Sequence, residues 1–366
     1  MKPLTAIAGI ALLIAVLVVP AAADIALLDT GTSPNNMLHL YNNDGTPKNV
    51  FGGGTTNQYS QTGTIVDVAC LSTGQTALVF SVQAKVQVLN ANGTVGPSYN
   101  LPGGTGYGER ICSMPDGGFA VATWFTNTSR LLFYDYDANT QTWSVGANVD
   151  VYAATAGHTQ FNQTNTDISL AGGQLTDATP DVAVIGNDAN NVESALFFDR
   201  NGAVAGTTVT KTLISGDPWI SGTPGVTADP VGGAADSAVV GVYQWPKTTD
   251  FGLYTQPNTE TKISDGVSQT SPQAEAWVDV AVDPDDTSRL LALSSTGSVY
   301  QGVYPVTLSG TTATVGGQLI PFPTGVSRID ATLPVAEPEA ALIPEPAAGL
   351  LGLGLVGLAA RRRRRK

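Results

Sequence analysis

Short apolar runs that alternate with polar residues, each closed by a Pro, Gly, Asn or Asp turn, fill this chain from residue 24 to about residue 334. Alternation over four to eight residues marks a strand with one face buried. Six stretches share one form: TIVDVACLSTG, GERICSMPDGG, NTDISLAGGQ, TPGVTADPVGG, AWVDVAVDPDD and VSRIDATLPVA. Anchored at Val66, Arg110, Asp167, Val226, Val278 and Arg328, they recur roughly every 45 to 60 residues, a period that suits the blade of a β-propeller. Further strand runs follow each one. QTALVFSV, AKVQVLNANG and TVGPSYNLPG come after the first, and GGFAVATWF, RLLFYDYDANTQ and TWSVGANV after the second. Four strands per unit, separated by hairpin turns, make a blade.

The two ends of this body complement each other. DIALLDTG, NMLHLYNNDG and PKNVFGGG supply three strands that lack a first strand, and SRIDATLP supplies a first strand that lacks the other three. Joining them closes a ring and removes the exposed edges that invite aggregation. The pattern therefore predicts an all-β fold, a β-propeller of six four-stranded blades with N- and C-terminal strand closure. Five or seven blades, or a pair of β-sandwiches, are the alternatives.

Composition agrees with strands. Charged residues are 13% of the chain, against 41 Gly and 22 Pro, and long surface helices would need more Glu, Lys and Ala. The formal net charge of −13 repels acidic polymers, so an acidic polysaccharide would need a bridging cation or a neutral face.

Neither end resembles the body. Lys2 precedes an apolar run from Leu4 to Val19, and Ala21 and Ala23 frame a small-x-small cleavage site. Residues 1–23 read as a secretory signal peptide cut before Asp24; a permanent N-terminal anchor is the alternative. At the other end, Ala347 to Ala360 is apolar, and Arg361, Arg362, Arg363, Arg364, Arg365 and Lys366 follow without a neutral residue. Cations after a span stay on the cytoplasmic side, which puts the body across the membrane. Residues 347–366 thus read as a transmembrane helix with an Arg-rich tail. Residues 335–346 are a Pro/Glu spacer, and 24–334 are the propeller body.

Pro344-Glu345-Pro346, then a short apolar helix, then an Arg-rich end resembles the PEP-CTERM sorting signal of Gram-negative bacteria. The likeness covers about the last 25 residues. It implies processing by the membrane transpeptidase exosortase, with Pro344, Glu345 and Pro346 as its recognition motif. It also implies passage through the inner membrane to the cell surface or extracellular matrix, where exopolysaccharide or a surface glycan is a partner. The two prolines keep the motif extended and open to an enzyme's cleft. The six cations act as a topology anchor and not as a nucleic-acid site, which needs basic residues spread over a folded face.

Candidate chemistry in the body is sparse. Cys70 and Cys112 permit one disulfide in an exported chain, with two buried thiols as the alternative. LTDATPDVAVIGND and ADPVGGAADSAVVGVY loosely resemble the FG-GAP repeats of integrin-type propellers, which carry a calcium loop. Thr176, Ala178 and Gly232 to Ala235 stand where that loop needs oxygen ligands, so no cofactor is assigned beyond an option for calcium. Asp135, Asp137 and Asn139 form a D-x-D-x-N run that a polar hairpin turn explains equally. His39 lies in a strand and His158 in a polar loop, and neither stands beside a nucleophile. Asp67, Asp167, Asp279 and Asp330 fall on first strands near the axis, either lining a channel or holding the blades in register. Trp219 and Trp245 fall in loops where a ring can stack on a sugar; the other tryptophans read as core. No catalytic residue is assigned. The reading is a non-enzymatic display or binding protein, with an extracellular carbohydrate-active hydrolase or lyase and a glycan- or protein-binding module as alternatives.

Overall fold

The computed structural model describes residues 24–29, 36–102, 107–114, 116–125, 128–151, 168–174, 180–187, 193–198, 209–211, 226–228, 237–244, 248–255, 259–268, 277, 279–286, 289–294, 301–321 and 326–332. The signal segment with Ala21 and Ala23, the spacer with Pro344, Glu345 and Pro346, and the tail from Arg361 to Lys366 lie outside them. So do Asp167, His158, Trp219, Trp245 and both FG-GAP-like loops. Among the described residues no helix is long and apolar enough to cross a membrane.

The described elements are strands that meander antiparallel. In chain order they begin with β1 (Asp24–Asp29), β2 (Met37–Asn42) and β3 (Gln58–Ser60). The first full meander is β4 (Ile65–Cys70), β5 (Thr76–Phe80), β6 (Lys85–Leu89) and β7 (Val95–Asn100). The second is β8 (Tyr107–Ser113), β9 (Phe119–Phe125), β10 (Thr128–Asp137) and β11 (Thr142–Asp150). Then come β12 (Ile168–Gln174), β13 (Pro180–Asn187), β14 (Glu193–Phe198) and β15 (Val209–Lys211). These are followed by β16 (Val226–Ala228), β17 (Ser237–Gln244), β18 (Thr248–Thr255) and β19 (Thr259–Ser268). The last set is β20 (Asp279–Val282), β21 (Arg289–Ser294), β22 (Gly302–Ser309) and β23 (Thr312–Val315), and β24 (Val326–Ala331) ends the body.

Hydrogen bonding groups them into four four-stranded sheets and one eight-stranded sheet. The large one is two four-stranded meanders, β16 to β19 and β20 to β23, joined by a parallel pairing of Ser264 with Thr312. The terminal sheet has the order β24-β1-β2-β3, so the last strand of the body completes the sheet that its first residues begin. Ile25 to Leu28 pair antiparallel with Ala331 to Arg328. Asp24 N–H donates to Thr332 Oγ1 at 3.0 Å and Thr332 N–H to the Asp24 carbonyl at 2.9 Å, while Lys48 closes an ion pair on the Asp24 carboxylate.

The described residues form several cores rather than one, each lying between neighbouring sheets or on one face of a sheet. Ala26, Leu28, Leu38 and Leu40 of the terminal sheet meet Ile65, Val68, Leu78 and Phe80 of the next. That sheet in turn meets Phe119, Val121, Leu132 and Trp143 through Val79, Val86 and Val88. On the other side of the terminal sheet, Ile25, Leu27 and Ile329 meet Ala281, Leu291 and Leu293. Strands buried on both faces must be short and rich in Val, Ile, Leu and Ala, and β1, DIALLD, is buried at every position. First strands lie side by side in the sequence β4, β8, β12, β16, β20, β24, with β24 again beside β4.

One expected strand is misplaced. PKNVFGGG was to supply the third strand of the terminal sheet, but the pairing partner of β2 is β3, further along. Gly52, Gly53 and Gly54 all have positive φ, at 58°, 74° and 88°. That backbone turns instead of extending. Phe51 accepts the turn's hydrogen bonds at its carbonyl and buries its ring in the core between the first two sheets.

Candidate functional site

The starts of three first strands, β4, β8 and β24, share a distortion that decides which of their side chains meet. In β4, Ile65 pairs with Phe80 and Asp67 with Val79, leaving Val66 as an extra residue. In β8, Gly108 pairs with Thr123 and Arg110 with Ala122, leaving Glu109 extra. In β24, Asp29 faces Val326 and Leu28 faces Arg328, leaving Ser327 extra. A bulge re-aims the residues that follow it. The residue after each bulge is charged: Asp67, Arg110 and Arg328. β24 and β8 flank β4, so the Asp67 carboxylate lies between two arginines, and Arg328 Nε stands 3.9 Å from Asp67 Oδ1.

Three carboxylates of this axial group are engaged by backbone. Asp67 Oδ2 accepts Ile111 N–H of the next first strand at 3.0 Å. Asp279 Oδ2 accepts Ile329 N–H at 2.7 Å, again from the next first strand, and its Oδ1 accepts Val280 N–H at 3.0 Å. Asp330 Oδ2 accepts Cys70 N–H at 2.6 Å. Each carboxylate thus bonds across to the next first strand, from β4 to β8, from β20 to β24 and from β24 to β4.

Burial sets the protonation of the group. It pushes the Asp279 carboxyl up to about 7, with the neighbouring Asp67 charge adding to the shift and Arg328 opposing it. Asp67 and Asp330 are likewise raised by burial, Asp330 strongly. Burial lowers Arg110 to about 10, and Arg328 lowers it further against the pull of Asp67, Glu109 and Asp279. A buried charge beside an opposite one keeps its ionisation only as far as the pairing offsets desolvation.

The other candidates are placed as follows. Cys70 and Cys112 are free thiols, both buried, so the disulfide expected as one option is absent. They sit at the inner ends of β4 and β8, and burial raises both thiols well above their ordinary range, as does the nearby Asp330 charge. Such thiols are packing residues and poor nucleophiles. Asp137 closes the β10–β11 hairpin, accepting from Asn139 N–H at 2.8 Å and Thr140 Oγ1 at 3.0 Å. His39 is buried in β2, and burial lowers its basicity while Asp29 opposes this. Among the described residues no group of three or more His, Cys, Asp or Glu is arranged to hold a metal ion.

Trp143 and Trp277 are core, and Trp143 Nε1 donates to the Gly117 carbonyl at 2.8 Å. Trp124 is only half-buried and stacks on Tyr107, with ring centroids 6.3 Å apart and planes 17° from parallel. The two are cross-strand partners in β8 and β9. Tyr107 is 39% exposed. Sequence reasoning missed Tyr107, Glu109 and the axial role of the two arginines. A signal for the arginines was present, since Arg110 and Arg328 hold the same position in their repeats.

No family model matches the chain, and no curated protein does. Solved structures do resemble it remotely. A protein of unknown function from Bacteroides caccae is 12% identical, with a TM-score of 0.46, over 85% of this chain and 99% of that one. A functionally unknown protein from Desulfotomaculum acetoxidans is 12% identical, with a TM-score of 0.47, over 81% and 78%. TolB from Acinetobacter baumannii is 11% identical, with a TM-score of 0.44, over 86% and 67%. The fold described above rests on the strand pairing and not on these likenesses.

Proposed function

We propose that this is an exported surface or matrix protein, a closed six-bladed propeller that displays or binds rather than catalyses. The axial hydrogen bonds carry the reading. Among the described residues, Asp67, Asp279 and Asp330 are acids of first strands, and each spends an oxygen on a backbone N–H of the next first strand. A general acid or nucleophile has to reach substrate; these acids hold sheet to sheet. Six four-stranded units in cyclic order, with β24 and β1 as the closure, make the ring. Export follows from the segments outside it: signal peptide, PEP motif, short apolar helix and Arg-rich end in the order that exosortase substrates have.

The test is the mass and cell fraction of the mature protein in its host, beside a variant with Pro344, Glu345 and Pro346 changed to Ala. The reading expects wild type without its first 23 residues and its Arg tail, outside the inner membrane, and the variant uncut and retained there. An intact tail in both overturns the sorting arm. The isolated wild type is then incubated with neutral and uronic polysaccharides, and release of new reducing ends or unsaturated products overturns the non-catalytic arm.

A further inference from the structure

Asp24 and Thr332 are joined by the reciprocal hydrogen bonds between β1 and the end of the body. Since β1 and β24 run antiparallel, the start of one lies beside the end of the other. The segments before Asp24 and after Thr332 therefore leave the body at one point. This seam is held on both faces. Releasing β1 would take Ile25 and Leu27 out of one core and Ala26 and Leu28 out of another, and all four are fully buried. In the ring proposed above, the seam also lies near the axis and not at the rim, because β24 is one of the first strands that stand side by side.

Covalent reach now separates the two ends. Between the apolar run that closes at Val19 and the start of β1 stand residues 20–23, which span at most about 14 Å. Between Thr332 and Pro344 stand residues 333–343, which span up to about 40 Å. While the N-terminal run is still in the bilayer, the shorter segment sets the height of the body, and the face that carries the seam lies against the membrane. A small folded domain is about 30 Å across, so an enzyme at the membrane surface has no room beneath that face to reach Pro344, Glu345 and Pro346. Once the N-terminal run is cut away, the longer segment sets the height and opens that space.

We propose that the two processing reactions are ordered by the β1–β24 seam, and that the first supplies the substrate of the second. The first is hydrolysis of the Ala23–Asp24 peptide bond, which consumes a water and leaves a carboxylate on Ala23 and an amine on Asp24. The second is acyl transfer at the Pro-Glu-Pro motif, in which a nucleophile of the transpeptidase takes the acyl group and the C-terminal span leaves as an amine. This regulation of the motif rests on the export reading above.

The test is a pulse-chase in the host with the mass of both ends read on three full-length chains. They are wild type, a chain with Ala21→Tyr and Ala23→Tyr, which removes the small residues of the N-terminal cut, and that same chain with about 30 Gly and Ser residues inserted before Asp24, a tether of about 30 Å r.m.s. span. Wild type should lose its N-terminal run before its Arg tail. The doubly substituted chain should keep its N-terminal run and lose its tail at least about tenfold more slowly, because sites that a tether cannot bring together do not react. The chain with the insert should keep its N-terminal run and lose its tail at close to the wild-type rate. Tail loss first in wild type, tail loss at the wild-type rate from the doubly substituted chain, or a tail retained in the chain with the insert overturns the order. The insert also separates tether length from misfolding, since only an effect of reach is relieved by added length. A wild-type tail that is never cut is failure of the sorting reading and takes the order with it, whereas failure of the order alone is seen with the wild-type tail removed.

Discussion

Asp279 offers the sharpest test of the axial hydrogen bonds. Its side chain is buried, its two oxygens accept Ile329 N–H and Val280 N–H, and its carboxyl is raised by burial to about 7. In the unfolded chain an Asp titrates near 3.9. Between those values the native state holds a proton that the unfolded state has lost, so stability from this group is complete below about pH 4 and falls as pH rises through about 7. From pH 5 to pH 8 the loss is about 2 to 3 kcal/mol at 1.4 kcal/mol per pKa unit. Asp279→Asn removes the titration and keeps one acceptor for Ile329 N–H, at a cost of about 1 kcal/mol for the bond to Val280. Asp279→Ala removes both acceptors and strands two buried donors, each costing about 1 to 3 kcal/mol. Urea unfolding of the three proteins at pH 5 and pH 8 reads all of this. The advantage of wild type over Asp279→Asn should shrink or reverse at pH 8, and Asp279→Ala should be the least stable at both. An advantage that grows with pH, or an Ala variant equal to the Asn variant, refutes the reasoning.

The remaining predictions concern packing. Gly93, in the β6–β7 turn, has φ of 78°, and a Cβ there would collide with the Val50 carbonyl and the Phe51 ring. Gly93→Ala should lose about 2 to 4 kcal/mol in urea unfolding from backbone strain and overpacking together. Gly310→Ala, at φ 59° with nothing within 4 Å of a Cβ, should lose only about 1 to 2 kcal/mol; equal losses would mean that the β6–β7 turn does not press on the Val50–Phe51 segment. Cys70 and Cys112 should be unreactive to a thiol reagent in the native protein and both labelled in denaturant. The mass of the denatured, unreduced protein should show two free thiols, and an oxidised pair would contradict the buried free state.

What the sequence made legible follows from what alternation encodes. Short runs rich in Val, Ile, Leu and Ala closed by turn residues mark strands whether one face or both are buried, so the six first strands and most of their partners could be read from residue type alone, as could the pairing of the orphan SRIDATLP with DIALLDTG. The third strand of the terminal sheet went to PKNVFGGG because Val50 and Phe51 look like strand residues. Three successive glycines at positive φ instead fold that segment into a turn that feeds Phe51 to the core. Residue type does not report φ where Gly is free to take either sign.

The axial group was half legible for a different reason. Asp67, Asp279 and Asp330 could be placed near the axis by repeat position, but a carboxylate's partner depends on the neighbouring sheet's register, which no single repeat contains. The bulges add a second shift. One extra residue at Val66, Glu109 or Ser327 reverses which side of the strand the following residues face, and strict alternation from the strand start would send Asp67, Arg110 and Arg328 the wrong way. Aligning β4, β8 and β24 on their bulges, with Val66, Glu109 and Ser327 at one position, avoids that error. On that alignment Arg110 and Arg328 coincide, and two arginines at one repeat position beside β4 have to converge on whatever charge β4 carries there. That charge is Asp67. The arginines and the acid are therefore a consequence of the repeat, and the hydrogen bonds from Asp67 to Ile111 and from Asp330 to Cys70 are what the same repeat uses to hold β24, β4 and β8 together across the junction where the chain's two ends meet.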